Sequence, residues 1–223
     1  MFVFVHIPKT AGTALGHAFD FSSQRRVFWD YDPEYRYTKS IQPEIAENIA
    51  FIGSYYKVIF GHFFVTKYMN LLSDAAYLTC IRHPVDRVVS QYYHLASDGR
   101  SWQGKAISEG RMDVVDFSRS GNIANAQTVH LDGVAIENMD HVFLTERLHE
   151  SMKAFTAKFS FDFSVRAPVV NTRASRKASL SNKTSFVEVT EGHRRKVFGL
   201  CEEDVELYRK AVERHTAERL VYF

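Results

Sequence analysis

Phe2-Val3-Phe4-Val5-His6-Ile7-Pro8-Lys9-Thr10-Ala11-Gly12-Thr13 is the stretch around which the rest of the chain is organised. Phe2 to His6 are apolar or aromatic and rich in β-formers, which suits a buried strand. Pro8 ends that strand, because it has no N–H for a central ladder. Lys9, Thr10, Gly12 and Thr13 then lead into the helix-like run Ala14-Leu15-Gly16-His17-Ala18-Phe19. A strand, a short loop and a helix start expose backbone N–H groups at the positive end of a helix dipole. Such a junction can seat a phosphate or sulfate, and the lysine and two hydroxyls add donors for the same anion. The stretch also reads as an ordinary strand–helix turn. The Walker spacing, with Gly-Lys-Ser/Thr after four variable residues, is absent because Lys9 precedes Gly12.

A second stretch repeats the layout. Leu78-Thr79-Cys80-Ile81-Arg82-His83-Pro84-Val85-Asp86-Arg87-Val88-Val89-Ser90-Gln91-Tyr92 runs from an apolar strand through Arg82 and a proline break into a helix start. Two such cradles suit one ligand with two anionic ends.

The two blocks together, from His6 to Thr13 and from Ile81 to Tyr92, resemble the sulfotransferase signature pair. The first is similar to the 5′-phosphosulfate loop and the second to the 3′-phosphate-binding block. The chain looks like the carbohydrate sulfotransferases related to heparan sulfate 2-O-sulfotransferase, including small bacterial members. The likeness extends to Phe60-Gly61-His62, to Phe143-Leu144-Thr145-Glu146-Arg147 and to Glu203-Asp204-Val205-Glu206-Leu207-Tyr208. It implies a single α/β domain over residues 1–223: a P-loop-like three-layer sandwich with a central, mainly parallel sheet flanked by helices.

The resemblance also implies a chemistry. The donor is 3′-phosphoadenosine 5′-phosphosulfate, its sulfuryl group passes in line to an acceptor hydroxyl, and adenosine 3′,5′-bisphosphate is released. Lys9 stabilises the leaving oxygen. The backbone of Thr10, Ala11, Gly12 and Thr13, with the Thr10 and Thr13 hydroxyls, holds the 5′ phosphate. Arg82 and Ser90 hold the 3′ phosphate. His62 is the general base, as an unperturbed imidazole titrates near neutrality. The acceptor is expected to be a saccharide, and no metal is expected. Read without the resemblance, Arg87 is a helix charge paired with an acid, and Ser90 faces solvent.

Composition is compatible with this. At 223 residues, with 45% hydrophobic and 24% charged residues, the chain is expected to fold around a sizeable core. A net charge of +2 does not suggest a nucleic-acid partner. No basic leader with an apolar core opens the chain, and no uncharged apolar run is of spanning length. No membrane anchor and a cytoplasmic setting are therefore expected, with oligomeric state left open. Cys80 and Cys201 are expected to be reduced core thiols, though a disulfide is the alternative.

Between the blocks, residues 25–37 mix aromatics with charges and are expected to form a loop, either packing on the core or offering rings to a sugar. Pro43 to Ala50 opens a helix that Gly53 ends. Lys57 to His62 is a strand, which places His62 beyond a strand's carboxyl end, where open α/β sheets bind ligands. Lys67 and Tyr68 are expected to edge the site. Ala75 to Ile81 is a strand and Pro84 to Ala96 a helix. Residues 97–121, with Gly99, Gly104, Gly110 and Gly121, are expected to be loop with a short helix at Met112 to Ser118. A helix begins at Gly121, near the acceptor by resemblance. His141 to Thr145 is a strand and Glu150 to Phe159 a helix. Pro168 to Ser179 is either a solvated linker or a loop folding over the nucleotide with Arg173 or Lys177 near a phosphate. Thr190 caps a long helical tail that packs on the sheet.

Two other functions share the motifs. A P-loop nucleotide kinase would need the missing Gly-Lys-Ser/Thr. A non-catalytic nucleotide- or glycan-binding module would not need both Lys9 and His62.

Overall fold

A computed structural model describes residues 1–32, 34, 38–163 and 186–222, with no side-chain description for 219–222. Arg173, Lys177 and residues 35–37 lie outside the described residues. The strands are Phe2–Val5 (β1), Val27–Asp30 (β2), Val58–Gly61 (β3), Ala76–Ile81 (β4) and His141–Leu144 (β5). The helices are Gly12–Ser22 (α1), Pro43–Glu47 (α2), Ile49–Tyr55 (α3), Thr66–Met69 (α4), Pro84–Asp98 (α5), Trp102–Ser108 (α6), Val114–Arg119 (α7), Ala126–Leu131 (α8), Leu148–Phe159 (α9), Glu191–Leu200 (α10) and Glu202–Tyr222 (α11).

The strands form one sheet in the order β2-β3-β1-β4-β5, and every pairing is parallel. β1 is central because it can be buried on both faces: Val3 and Val5 point to one layer, Phe4 to the other. The first layer packs Val3, Val5, Ile59 and Ile81 against Tyr68, Leu131 and Ala211. The second packs Phe4 against Phe60 with ring centroids 4.4 Å apart and, with Phe143, against Leu15 and Phe19 of α1 and Phe155 of α9. A third cluster joins α5, α6, α7 and α10 through Val88, Tyr92, Ile107, Phe117 and Val197. β3 lies on one side of β1 and β4 on the other. The sheet therefore switches direction at β1, and the crevice beyond the carboxyl ends of β1, β3 and β4 is where such sheets bind ligands.

Several expectations are corrected. Val27–Asp30 is an edge strand, not loop: Val27 and Asp30 are buried while Trp29 faces out. Trp102–Ser108 is a helix, capped by the Ser101 hydroxyl accepting from the Gly104 N–H at 3.0 Å. Gly104 is a close-packing residue, since a Cβ there would lie 2.5 Å from the Leu95 carbonyl oxygen. The helix opened by Pro43 breaks at Asn48, and α3 runs through Gly53 to Tyr55. The helix expected from Gly121 begins at Ala126. Thr190 does cap α10, in a capping box with His193. The tail divides at Cys201, however, so that α10 packs on helices and only α11 reaches the sheet. Cys80 and Cys201 are buried free thiols.

Helices α8 and α11 cap each other. The Asp204 carboxylate accepts from the N–H groups of Gln127 (3.2 Å) and Thr128 (2.8 Å) at the start of α8. The Asn125 side chain accepts from the Asp204 N–H (3.1 Å) at the start of α11. Arg87 is paired with an acid as expected and is fully buried: it brings its Nε to 3.9 Å from Asp204 and donates to Gln91 Oε1 and the Ile123 carbonyl. Burial pushes the Asp204 carboxyl up and the Arg87 guanidinium down, each against the pull of its partner. Removing one member strands the other. Asp204→Ala is expected to cost about 3–5 kcal/mol in urea-monitored unfolding. Asp204→Asn, which keeps one acceptor oxygen, is expected to cost less.

Candidate active site

β1 leads into a turn with two left-handed residues, Lys9 (φ 73°) and Ala11 (φ 61°), an uncommon conformation outside glycine. Between them Thr10 is fully buried, and its hydroxyl donates to the Ile7 carbonyl at 2.8 Å. Thr10 therefore fixes the turn with its side chain, and what it offers an anion is its main chain. The first α1 bond runs from the Leu15 N–H to the Ala11 carbonyl (3.1 Å). As at any helix start, the earlier N–H groups are not used within the helix and can face an anion.

Gly12 is needed for space. A Cβ at this position would lie 1.7 Å from His6 Nε2, so the imidazole at the end of β1 lies directly against the start of α1.

β4 ends at Arg82. The Gln127 side chain accepts from the Arg82 N–H (2.8 Å) and donates to its carbonyl (3.0 Å), clamping that residue's main chain. Gln127 is buried and tied to Asp204, so it serves the arginine's backbone. The Arg82 guanidinium donates from Nη1 to the Lys9 carbonyl at 3.1 Å. The two strand-ending turns are thus in contact. Ser90 is almost wholly buried on α5 instead of facing solvent.

β3 delivers His62 beside them. Its Nδ1 lies 2.6 Å from the His6 carbonyl. A carbonyl only accepts, so Nδ1 carries the proton and the lone pair of the neutral ring is on Nε2. The rings of His62 and His6 stack at 4.3 Å, and Tyr31 stands edge-on to His62 at 4.9 Å. Lys67 and Tyr68 do not edge the site: both are buried, and both donate to Asp30 Oδ2, at 2.7 and 2.9 Å.

The sequence of this chain matches the Sulfotransferase family over residues 1–211. The chain belongs to the sulfotransferase family. A crystal structure of a sulfotransferase from Alicyclobacillus acidocaldarius has the same fold, with a TM-score of 0.52 at 15% identity, over 97% of this chain and 98% of that one. No curated protein sequence matches significantly. Family membership supports sulfuryl transfer as the reaction class and sets the kinase alternative aside.

Within this sulfotransferase site, sequence reading took His6 only as a strand residue and did not single out His130. The signal available for His6 was its place one residue past the strand and two before the proline. His130 on α8 donates from Nδ1 to the Ala126 carbonyl, and burial holds its pKa down to about 4. Burial, then His62, His130 and Lys9, hold His6 well below the usual histidine value. Both rings are neutral at pH 7.

Gly12→Ala is expected to lower stability and anion affinity together, although Ala for Gly within a helix ordinarily stabilises by about 0.5–1 kcal/mol; urea unfolding and calorimetry check the reversed sign. The histidine shifts set a pH window. A histidine with a depressed folded pKa contributes stability that is whole above its unfolded value near 6.5 and is lost as pH falls toward the folded value. His130, at about 4, and His141, held by burial to about 3, therefore predict weakening from pH 6.5 downward. The slope reaches about 1.4 kcal/mol per pH unit for each ring, measurable by urea unfolding at stepped pH.

Proposed function

We propose that this chain moves a sulfuryl group from 3′-phosphoadenosine 5′-phosphosulfate to a saccharide hydroxyl, in the manner of the carbohydrate sulfotransferases related to heparan sulfate 2-O-sulfotransferase. The observation that carries the reading is the 3.1 Å bond from Arg82 to the Lys9 carbonyl, because it brings two anion turns within reach of one nucleotide. In this reading the main chain of residues 10–13 and the Thr13 hydroxyl take the 5′ phosphate. Arg82 takes the 3′ phosphate with its planar fork, and Ser90 assists.

The transfer is a single displacement. The acceptor oxygen attacks sulfur as the bond from sulfur to the bridging oxygen breaks, and adenosine 3′,5′-bisphosphate leaves. Lys9 donates to that bridging oxygen as its charge builds. The acceptor proton passes to His62 Nε2. Alignment of donor and acceptor supplies much of the rate.

Calorimetry and turnover test this. Adenosine 3′,5′-bisphosphate should bind more tightly than adenosine 5′-monophosphate. Arg82→Ala should weaken the bisphosphate about 10- to 100-fold more than the monophosphate, the worth of a charge-assisted bond; equal losses would mean that Arg82 does not read the 3′ phosphate. Once a screen of saccharides with labelled donor gives an acceptor, Lys9→Ala should lower kcat about 100- to 1000-fold. His62→Ala should lower it about 100- to 10,000-fold. Both variants should leave bisphosphate affinity within about tenfold. Unchanged turnover would remove the residue from the chemistry.

A further inference from the structure

We infer that His6 and Tyr31 are positioning residues for His62: they hold its imidazole in the rotamer and tautomer that leave Nε2 as the basic nitrogen. The inference rests on the reading of His62 as the base and names the groups that make it one.

Three contacts converge on the His62 ring. The His6 carbonyl receives its Nδ1 proton at 2.6 Å. The His6 ring covers one face at 4.3 Å, with planes inclined by 25°. The Tyr31 ring meets it edge-on at 4.9 Å and 86°. Tyr31 also holds His6, its hydroxyl lying 2.6 Å from His6 Nδ1. The far edge of His6 is fixed by α1, where only a glycine at position 12 leaves it room. His6 is thus pinned between the Tyr31 hydroxyl and the helix start, and His62 between His6 and Tyr31. The His6 and Tyr31 rings thus pack against His62 at 4.3 and 4.9 Å and oppose tilting of its ring away from the carbonyl.

The charged and titratable groups facing His6 come from four elements: Tyr31 after β2, His62 after β3, Lys9 in the turn and His130 on α8. Partly buried and packed among these, His6 stays neutral. When His62 takes the acceptor proton, the ring stacked on it carries no like charge, and the Nδ1 bond to the carbonyl becomes charge-assisted.

The test reads the position of the proton. Imidazole-labelled protein, saturated with adenosine 3′,5′-bisphosphate, is studied by long-range proton–nitrogen NMR in the wild type, Tyr31→Phe and His6→Asn. Both variants keep the carbonyl of residue 6. Tyr31→Phe also keeps the aromatic edge and removes only the hydroxyl that holds His6. In the wild type, His62 is expected to carry its neutral-form proton on Nδ1. In both variants that fraction should fall toward the Nε2-protonated form, more in His6→Asn, while bisphosphate affinity in Tyr31→Phe stays within about twofold, as for a residue that does not touch the donor. A merely structural role would lower the unfolding midpoint and leave the tautomer unchanged. An Nε2 proton in the wild type, or an Nδ1 proton retained in both variants, overturns the inference. If His6→Asn does not fold, Tyr31→Phe decides. The outcome is separate from that of the base assignment, because His62→Ala turnover can fail or succeed whichever tautomer is found.

Discussion

The Lys9 carbonyl and the Arg82 guanidinium meet at 3.1 Å across 73 residues of sequence. Each side of that contact is fixed by a different part of the fold. On one side, Lys9 is held in a left-handed turn between a central strand and α1, with Thr10 locked to Ile7 beneath it. On the other, the Arg82 main chain is clamped by Gln127, which is tied to Asp204, which faces Arg87. Arg87, Gln127 and Asp204 are all fully buried. A buried ion pair is poor value as stability alone, because desolvation offsets most of the attraction. Here the pair also aligns α5, α8 and α11 behind the residue that reaches across to the first turn. That gives it a role in geometry beyond any contribution to unfolding energy.

The same contact qualifies any simple account of Arg82. A side chain proposed to read one phosphate would ideally be separable from the turn proposed to hold the other. Arg82 donates to the carbonyl of that very turn, so its removal loosens Lys9 as well. The clean comparison is therefore between ligands with and without the 3′ phosphate on a single variant. Loosening of the turn weakens both ligands, and only the difference reports the 3′ contact.

What the sequence revealed follows from physics that is local. β1 and β4 are buried on both faces, so they appear as continuous apolar runs, each ended by a proline. His62 is legible because Gly61 ends a strand. What stayed hidden depends on partners far along the chain. β2 reads as loop because Asp30 is a charge, yet that carboxylate is buried against Lys67 and Tyr68. For the same reason Lys67 was expected at the edge of the site. An acid partner for Arg87 was expected, but which one was not legible, because Asp204 lies in the final helix. Gly104 looked like a loop marker because its contact, the Leu95 carbonyl, belongs to the neighbouring helix. His6 looked like strand filling, since nothing within ten residues shows that it will stack on another imidazole.

That stack bears on the chemistry through charge. Lys67 and Arg87 face Asp30 and Asp204, so the cations in the two strand-ending turns themselves are Lys9 and Arg82, supplemented by the α1 dipole. Such a field suits a donor carrying phosphates and sulfate, but it opposes protonation of any base placed beside it. A second imidazolium at the stacking distance would oppose it further. Two unit charges about 4 Å apart at an effective dielectric near 20 repel by about 4 kcal/mol, roughly three pKa units. A charged His6 would therefore leave the proposed base unable to accept a proton near neutral pH. Burial keeps His6 and His130 neutral, so three histidines can gather at one sheet edge without that repulsion. The start of α1, the proposed anion seat, also packs against His6 and helps to bury it. The packing that builds the donor seat and the neutrality that the proposed base requires thus come from one arrangement.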